Sequence, residues 1–136
     1  MRKTLRDLLM ANKRGTAPVS KLLGMRMVRQ GGGQAVLKMK VRESHTNAIG
    51  TVHGGILCDL SDAAMGYAFT TLLTKEQIGM AIEFKINFLK PVFASETLKA
   101  QAKVLSHGKT LYYSECAIRN RAGSLVAKAA GTCKVI

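Results

Sequence analysis

Tryptophan is absent from this chain and acidic residues are scarce: 8 Asp or Glu side chains stand against 21 Lys or Arg. This imbalance gives a formal net charge of +13, which predicts attraction to an anionic ligand or partner. No apolar run reaches the roughly 18–20 residues that a membrane span needs, and the N-terminus lacks the apolar core of a secretory signal. We therefore expect a cytoplasmic protein without a membrane partner.

Cysteines are too few and too scattered to suggest a metal site. Cys58, Cys116 and Cys133 are odd in number, show no Cys-x-x-Cys spacing and lie in apolar or alternating segments. We expect buried free thiols and no bound metal. Few aromatics, the lack of a nucleic-acid-binding motif and the spread of lysines along alternating segments argue against a nucleic-acid partner. A small phosphate-bearing ligand and simple surface solubility both remain open as reasons for the charge.

The 136 residues fit a single domain, residues 1–136, that begins with a short amphipathic helix over residues 1–14. One long, mostly apolar helix is predicted over Gly55–Leu73. Alternating apolar positions between glycine-marked turns predict six strands: Gly24–Gln30, Gln34–Arg42, Ala81–Leu89, Thr97–Leu105, Thr110–Arg119 and Leu125–Val135. This order predicts an α+β fold with one long helix on an antiparallel six-stranded sheet, and the open sheet edge predicts at least a dimer.

The most informative segment is Val52–Asp62, in which a His53-Gly54-Gly55 turn leads into a helix that carries Asp62. Backbone N–H groups in the first turn of a helix have no intrahelical acceptor, so they can stabilise a carbonyl oxygen that develops negative charge. The glycines also allow a ligand to approach the main chain. The alternative is a simple turn before a buried helix. Asp62 follows His53 by nine residues, about half a turn out of phase in an ideal helix, so a site that uses both is more easily built across two chains.

Four segments together resemble the hotdog-fold acyl-CoA thioesterases of the phenylacetate-degradation (PaaI-like) type, within the 4-hydroxybenzoyl-CoA thioesterase superfamily: Asn47–Gly55, Leu60–Asp62, Phe84–Pro91 and His107–Thr110. The resemblance covers nearly everything after the N-terminal helix. It implies a long central helix wrapped by a curved antiparallel sheet. It also implies a homodimer or homotetramer that dimerises through the sheet, with active sites between subunits. No cofactor is implied, because coenzyme A is part of the substrate.

The resemblance also implies roles for individual residues in the hydrolysis of an acyl-CoA thioester. The Gly54 N–H would bind the thioester carbonyl oxygen, and Asp62 of the partner chain would act as general base or nucleophile. His53 would hold the turn, and Asn47 would orient water or the thioester, although a loop Asn is equally a turn former. The expected coenzyme A path comprises Gly55, Phe88, Lys90, Pro91, His107, Gly108, Lys109, Thr110 and Lys134.

The chain departs from the family pattern at Ala81, where some related enzymes carry a Ser or Thr hydroxyl. Thr51, Ser61 or a water molecule would have to replace that hydroxyl. Met80 beside it predicts an apolar pocket wall, which favours an aromatic or medium-chain acyl group.

Three alternatives remain open. A hotdog dehydratase would need a Glu or Asp paired with a catalytic His, and the long helix has no Glu. A non-catalytic acyl-CoA-binding or sensing module would leave Asp62 without a role. A thioesterase for acyl carrier proteins fits the positive charge as well as coenzyme A does, because carrier proteins are acidic.

Overall fold

The computed structural model describes residues 1–13 and 15–136, and its chain starts with two short helices. Helix α1 spans Leu5–Ala11 and is capped by Thr4, which exchanges hydrogen bonds with Asp7. It is shorter than the predicted range of residues 1–14, whose last residue, Arg14, lies outside the described residues. Helix α2, Pro18–Leu23, was not predicted. Six residues are too few to show a helical period, but Pro18 at its start and left-handed Gly24 at its end delimit it.

Six antiparallel strands form one sheet in the order β1-β2-β4-β5-β6-β3. All six predicted strands are present, with ends within two residues of the predicted ones. Their bounds are β1 Met25–Gly31, β2 Gln34–Lys40, β3 Gly79–Phe88, β4 Thr97–His107, β5 Leu111–Arg119 and β6 Leu125–Val135.

Helix α3, Gly54–Thr70, lies across the inner face of this sheet and makes most of its contacts with β2, β4 and β5. Leu57, Leu60, Ala64 and Ala68 recur at helical spacing and are buried against the inward-facing strand residues. The helix starts one residue earlier than predicted because His53 caps it, and it ends three residues earlier in turns of i−3 hydrogen bonds. One long helix on a six-stranded antiparallel sheet confirms the predicted α+β hotdog fold.

Strand β3 forms one edge of the sheet, because it pairs only with β6. This edge is apolar: Met80, Ile82 and Phe88 are 46%, 55% and 53% exposed. An exposed apolar edge strand tends to pair with another strand. The predicted dimerisation through the sheet therefore has an available strand, and it stays a prediction. None of the helices described is long and apolar enough to cross a membrane.

Candidate active site

The start of α3 leaves one backbone donor free. His53 Nδ1 accepts a hydrogen bond from the Gly55 N–H at 3.0 Å, and the His53 carbonyl accepts one from the Ile56 N–H at 2.9 Å. None of the described residues accepts a hydrogen bond from the Gly54 N–H. The two adjacent glycines therefore differ, because Gly55 completes the helix cap while Gly54 keeps a donor available at the positive end of the helix dipole.

A cleft of about 330 Å³ opens at this helix start, and we call it the helix-start cleft. It brings together four of the predicted site residues, Gly54, Phe88, Lys90 and Pro91. The Phe88 ring lies so close to the helix that a Cβ on residue 54 would be 3.0 Å from Phe88 Cζ. The absence of a side chain at Gly54 therefore has a packing reason as well as the predicted one. Gly55 does not line this cleft.

His45, which the sequence did not single out, supports the His53-Gly54-Gly55 turn through a hydrogen bond. Its carbonyl accepts the His53 N–H at 2.8 Å, and its Nδ1 accepts the Arg42 N–H at 3.0 Å. The side chain is 2% exposed. Burial lowers the pKa of His45, and the positive charge of Arg42 lowers that pKa further, so the ring is neutral at pH 7. A histidine in a polar loop carries no sequence signal for this supporting position.

The Asn47 amide is occupied by its own loop. Its Oδ1 accepts hydrogen bonds from the Ile49 and Thr51 N–H groups at 3.1 and 3.2 Å, and its Nδ2 donates to Thr51 Oγ1 at 2.9 Å. Asn47 lines neither large cleft of the chain. The turn-forming role that the sequence left open is therefore present, and an additional contact with substrate stays a prediction.

Asp62 faces a second and larger cleft of about 700 Å³, the aspartate cleft. Asp59, Gly66, Met80 and Ala81 line it as well. Its other walls come from the end of α3, the following turn and the segment around α2, and they include Tyr67, Phe69, Leu73, Ile78 and Val19. Burial raises the pKa of the Asp62 carboxyl above its ordinary value, and the negative charge of Asp59 raises that pKa further.

The three cysteines are free, as predicted; Cys116 and Cys133 are buried and Cys58 is half-buried. Cys133 lies beside Asp62 in the aspartate cleft. Burial raises its pKa to about 11, with a further contribution from the charge of Asp62. Burial likewise raises the pKa of Cys116 to about 12. Neither thiol ionises near neutral pH, so neither is a nucleophile there.

Within one chain, neither residue considered as a replacement for the hydroxyl missing at Ala81 lines the aspartate cleft with Ala81. Ser61 is fully buried in the core beside Cys116 and lines neither large cleft. Thr51 lines the helix-start cleft, and its Oγ1 accepts from Asn47. Thr70 does reach the aspartate cleft, but its hydroxyl donates to the Gly66 carbonyl at 2.8 Å. Within one chain a water molecule is the candidate that remains, and a contribution from Thr51 across a dimer stays a prediction.

A single protomer keeps the predicted site in two separate halves. Phe88, at one end of β3, pairs with Ala127, whereas Met80, at the other end, pairs with Lys134. Ala127 and Lys134 are seven residues apart on one strand, a span of roughly 23 Å. Gly54 therefore opens into the cleft at one end of the β3–β6 pair, and Asp62 into the cleft at the other end.

The predicted coenzyme A residues divide between the same two ends. The turn of His107, Gly108, Lys109 and Thr110 lies beside Lys134, because Leu111 pairs with Lys134 and the Val135 N–H donates to the Thr110 carbonyl at 2.8 Å. The His107 ring stacks on Tyr112 with centroids 4.6 Å apart. Phe88, Lys90 and Pro91 lie at the opposite end. Lys134 thus lies near the 107–110 turn, as expected, but within one chain it is remote from Lys90.

Over residues 1–13 and 15–136, no three His, Cys, Asp or Glu side chains are grouped so that they could hold a metal ion.

Comparison with known proteins places this chain in a class of enzymes. A family model described as the thioesterase superfamily matches residues 49–127. Acyl-coenzyme A thioesterase 13 of Homo sapiens is 33% identical over 131 residues, which cover 94% of this chain and 91% of the relative. Acyl-coenzyme A thioesterase PaaI of Escherichia coli is 33% identical over 108 residues, covering 79% of this chain and 75% of PaaI.

Solved structures agree with the sequence comparison. The E. coli PaaI structure superposes with a TM-score of 0.84 at 32% identity and covers 88% of this chain and 85% of that one. A hypothetical thioesterase protein of Streptococcus pneumoniae, solved with coenzyme A, superposes with a TM-score of 0.78 at 28% identity, covering 82% and 85%. The molecule is a hotdog-fold thioester hydrolase. More particularly, the chain belongs to the thioesterase superfamily, among relatives that are acyl-CoA thioesterases.

Proposed function

We propose that the protein hydrolyses aromatic or medium-chain acyl-CoA thioesters at a site built by two copies of the chain. The single observation that carries this proposal is the free Gly54 N–H at the start of the 17-residue helix α3. In thioester hydrolysis, negative charge develops on the carbonyl oxygen as the tetrahedral intermediate forms. A donor already oriented by the helix cap would stabilise that charge without reorganisation at the moment of reaction.

Asp62 is the proposed base or nucleophile. As a base it would take a proton from water while the water oxygen bonds to the acyl carbon, after which the C–S bond breaks and the coenzyme A sulfur takes a proton. As a nucleophile, its carboxylate would attack the acyl carbon directly, the C–S bond would break and the coenzyme A sulfur would take a proton. Water would then hydrolyse the resulting anhydride, which releases the acid and restores the carboxylate. Both routes require the ionised carboxylate.

The pairing of two β3 strands would reunite the two halves of the site. In an antiparallel pair, the start of one strand lies beside the end of the other. Asp62, near the start of β3, would then face Gly54 of the partner subunit, near the end of that subunit's β3. The exposed apolar side chains of this edge strand support the same pairing, since it would cover them.

The substrate assignment rests on the relatives and on the charge and lining of the clefts. The S. pneumoniae relative was solved with coenzyme A. In this chain Lys90 borders the helix-start cleft and Lys134 lies beside the 107–110 turn, so ammonium groups are present at both ends of the proposed path to bind the phosphates. The apolar wall of the aspartate cleft, which includes Phe69 and Met80, would hold a hydrophobic acyl group.

The experiment that tests this function is thiol release from a panel of coenzyme A thioesters: acetyl, octanoyl, palmitoyl, phenylacetyl and hydroxybenzoyl. We expect the aromatic and octanoyl esters to be hydrolysed with the highest kcat/KM. Release that is fastest for acetyl-CoA would contradict the proposed acyl class. No release from any ester would contradict the coenzyme A assignment itself.

The Asp59→Asn substitution is expected to move the acid limb of the pH–rate profile to lower pH. The charge of Asp59 raises the pKa of Asp62, so its removal lowers that pKa and leaves the required carboxylate ionised in more acidic solution. The measurement is kcat/KM between pH 4 and pH 8. Glu76→Gln, which also removes one carboxylate but does not line the aspartate cleft, is the matched control and should leave the limb in place. An unchanged limb in Asp59→Asn would contradict the proposed influence of the Asp59 charge on a catalytic Asp62.

The Gly66→Ala substitution is expected to stabilise the fold while slowing the hydrolysis of bulky substrates. Gly66 lies in the middle of α3, one turn after Asp62, where glycine costs about 1 kcal/mol relative to alanine. A Cβ there would have no heavy atom within 4 Å, so the chain itself does not require the glycine. We expect Tm to rise and kcat/KM for phenylacetyl-CoA to fall several-fold, with acetyl-CoA unaffected. An equal fractional change in kcat/KM for the two esters, relative to wild type, would exclude the space over Gly66 as the acyl site.

A further inference from the structure

The fold collects positive charge on the outer face of the sheet, which is the face turned away from α3. Strand alternation places ten basic side chains there: Arg26, Arg29, Lys38, Lys40, Lys85, Lys99, Lys103, Arg119, Lys128 and Lys134. The same face carries two acidic side chains, Glu83 and Glu115. Most of the net charge of +13 is therefore concentrated on one surface.

Four of these side chains form a continuous line that we call the basic row. Arg26 pairs with Lys38, Lys38 with Lys99, and Lys99 with Arg119, on the adjacent strands β1, β2, β4 and β5. Strands lie about 4.8 Å apart, so the row places four positive charges within about 15 Å. Directly opposed like charges on neighbouring strands destabilise a sheet.

No described carboxylate forms an ion pair with the basic row. The one ion pair among the described residues joins Lys128 to Glu115 at 3.1 Å. Solubility alone does not require lysines and arginines at four directly opposed positions, since the same charges dispersed over the surface would serve without mutual repulsion. The repulsion within the row would be relieved by a ligand with several closely spaced negative charges.

Coenzyme A does not account for the basic row. Its pyrophosphate and 3′-phosphate are assigned above to Lys90 and to the region of Lys134. None of the four row residues lines either the helix-start cleft or the aspartate cleft. The row therefore lies outside both clefts, on surface that a larger partner would contact.

One end of the row adjoins the helix-start cleft. Arg119 pairs with Leu125, and the next residue, Val126, accepts hydrogen bonds through its carbonyl from the Leu89 and Lys90 N–H groups at 2.8 and 3.2 Å. Leu89 and Lys90 line the cleft. A macromolecule held on the row is therefore placed beside the mouth through which a thioester would enter.

We propose that the basic row docks an acidic protein that carries the acyl group as a thioester of its own phosphopantetheine arm, and that this arm enters the helix-start cleft. The inference rests on the proposed function, because it supplies a second carrier for the same hydrolysis. Water adds to the acyl carbon, the C–S bond breaks, and the carrier keeps its arm with a free thiol. The products are the carboxylic acid and the unloaded carrier protein.

The shape and composition of the outer face favour an acidic protein over other polyanions. The sheet wraps α3, so this face is convex, and a flat bilayer would touch only part of it. Tyr113 is the one aromatic side chain that strand alternation places on the described part of the face. Single-stranded nucleic acid is bound on surfaces with several stacking aromatics. A small acidic protein can contact the whole row, since electrostatic complementarity raises association rates without deep pockets.

The test compares two double variants with the same change in charge. Lys38→Glu with Lys99→Glu reverses the centre of the basic row. Lys21→Glu with Lys75→Glu is the matched control, because both lysines are exposed and lie outside the row and both clefts. The acyl group that the wild type hydrolyses best is loaded on coenzyme A and, separately, on a purified acidic acyl carrier protein, and kcat/KM is measured for each.

We expect the row variant to lose at least about tenfold in kcat/KM on the carrier-borne ester, because steering by opposite charges is lost. The row variant should hydrolyse the coenzyme A ester within about twofold of the wild-type rate, which also establishes that the variant is folded. The control variant should show wild-type kcat/KM on both esters. Fluorescence anisotropy measures the binding of the unloaded carrier protein to the wild type. We expect this binding to weaken as NaCl is raised from about 50 mM to about 500 mM.

Each other result has a definite meaning. Equal losses in the row and control variants, or wild-type hydrolysis of the coenzyme A ester alone, would overturn the docking inference and leave the proposed function intact. If the wild type hydrolyses neither the coenzyme A ester nor the carrier-protein ester, the proposed function is overturned. The anisotropy titration would still report on docking. Row-dependent binding to anionic phospholipid vesicles or to RNA, without binding to the carrier protein, would replace the acidic protein by that partner.

Discussion

Asp62→Asn is expected to abolish thioester hydrolysis, with kcat falling by about 100-fold to 10,000-fold while KM for acyl-CoA changes little. Asparagine has nearly the same shape, so the aspartate cleft keeps its form. Its amide can neither accept the proton of the attacking water nor attack the acyl carbon. The measurement is steady-state thiol release with the best substrate of the panel.

Two controls make the Asp62 result specific. Asp59→Asn, one turn earlier on the same helix, should retain a near-normal rate at neutral pH. Coenzyme A binding by Asp62→Asn, measured by calorimetry, should equal that of the wild type. Wild-type turnover in Asp62→Asn would refute the mechanism. If the rate fell because the variant did not fold, calorimetry would show a loss of coenzyme A binding and the circular dichroism spectrum would differ from that of the wild type.

Gly131→Ala is expected to destabilise the fold by about 3 kcal/mol, the upper part of the range for overpacked sites. Gly131 lies in β6 between Ser114 of β5 and Phe84 of β3. An added Cβ would meet Phe84 Cβ at 2.4 Å and the Glu83 carbonyl oxygen at 2.5 Å, so β3 must move away from β6. Thermal denaturation should show a fall in Tm of about 10 °C, which follows from the size of the domain. Urea denaturation should show a lower midpoint concentration.

Gly66→Ala provides the matched control for Gly131→Ala, because the same methyl group is added in the same chain where nothing lies within 4 Å. The two substitutions are expected to shift Tm in opposite directions. Comparable stability of Gly131→Ala and wild type would mean that β3 can separate from β6 without loss of packing.

Most of the fold could be predicted because its signals are local. Alternating apolar residues mark each strand, and Leu125–Val135 was predicted with the observed bounds. The α2 helix could not be predicted, since six residues give less than two helical turns and no period. The end of α3 was placed at Leu73 rather than Thr70 because the leucines after Thr71 continue the apolar pattern, although hydrogen bonding there has changed to tight turns.

The candidate site could be predicted only in part. The His53-Gly54-Gly55 turn and Asp62 stand out in the sequence because a glycine-marked helix start and a carboxylate within a mostly apolar helix each have a recognisable pattern. The support from buried His45 and the open space over Gly66 have none, because they depend on what surrounds a residue in three dimensions. The roles of Asn47, His53 and the coenzyme A residues stay predictions that the experiments above address.

The sequence by itself determined the features that arise within short stretches of chain: the strands, the capped start of α3, the excess of positive charge and the family pattern. Only the structure showed that the Gly54 N–H, the donor that the resemblance implies, has no acceptor among the described residues, whereas the Gly55 N–H donates to His53 Nδ1. Only the structure placed Gly54 and Asp62 in separate clefts and Arg26, Lys38, Lys99 and Arg119 in one row. Strand register determines the row, and the packing of α3 across the sheet determines which cleft each of its residues reaches. Both depend on contacts between residues that are distant in sequence.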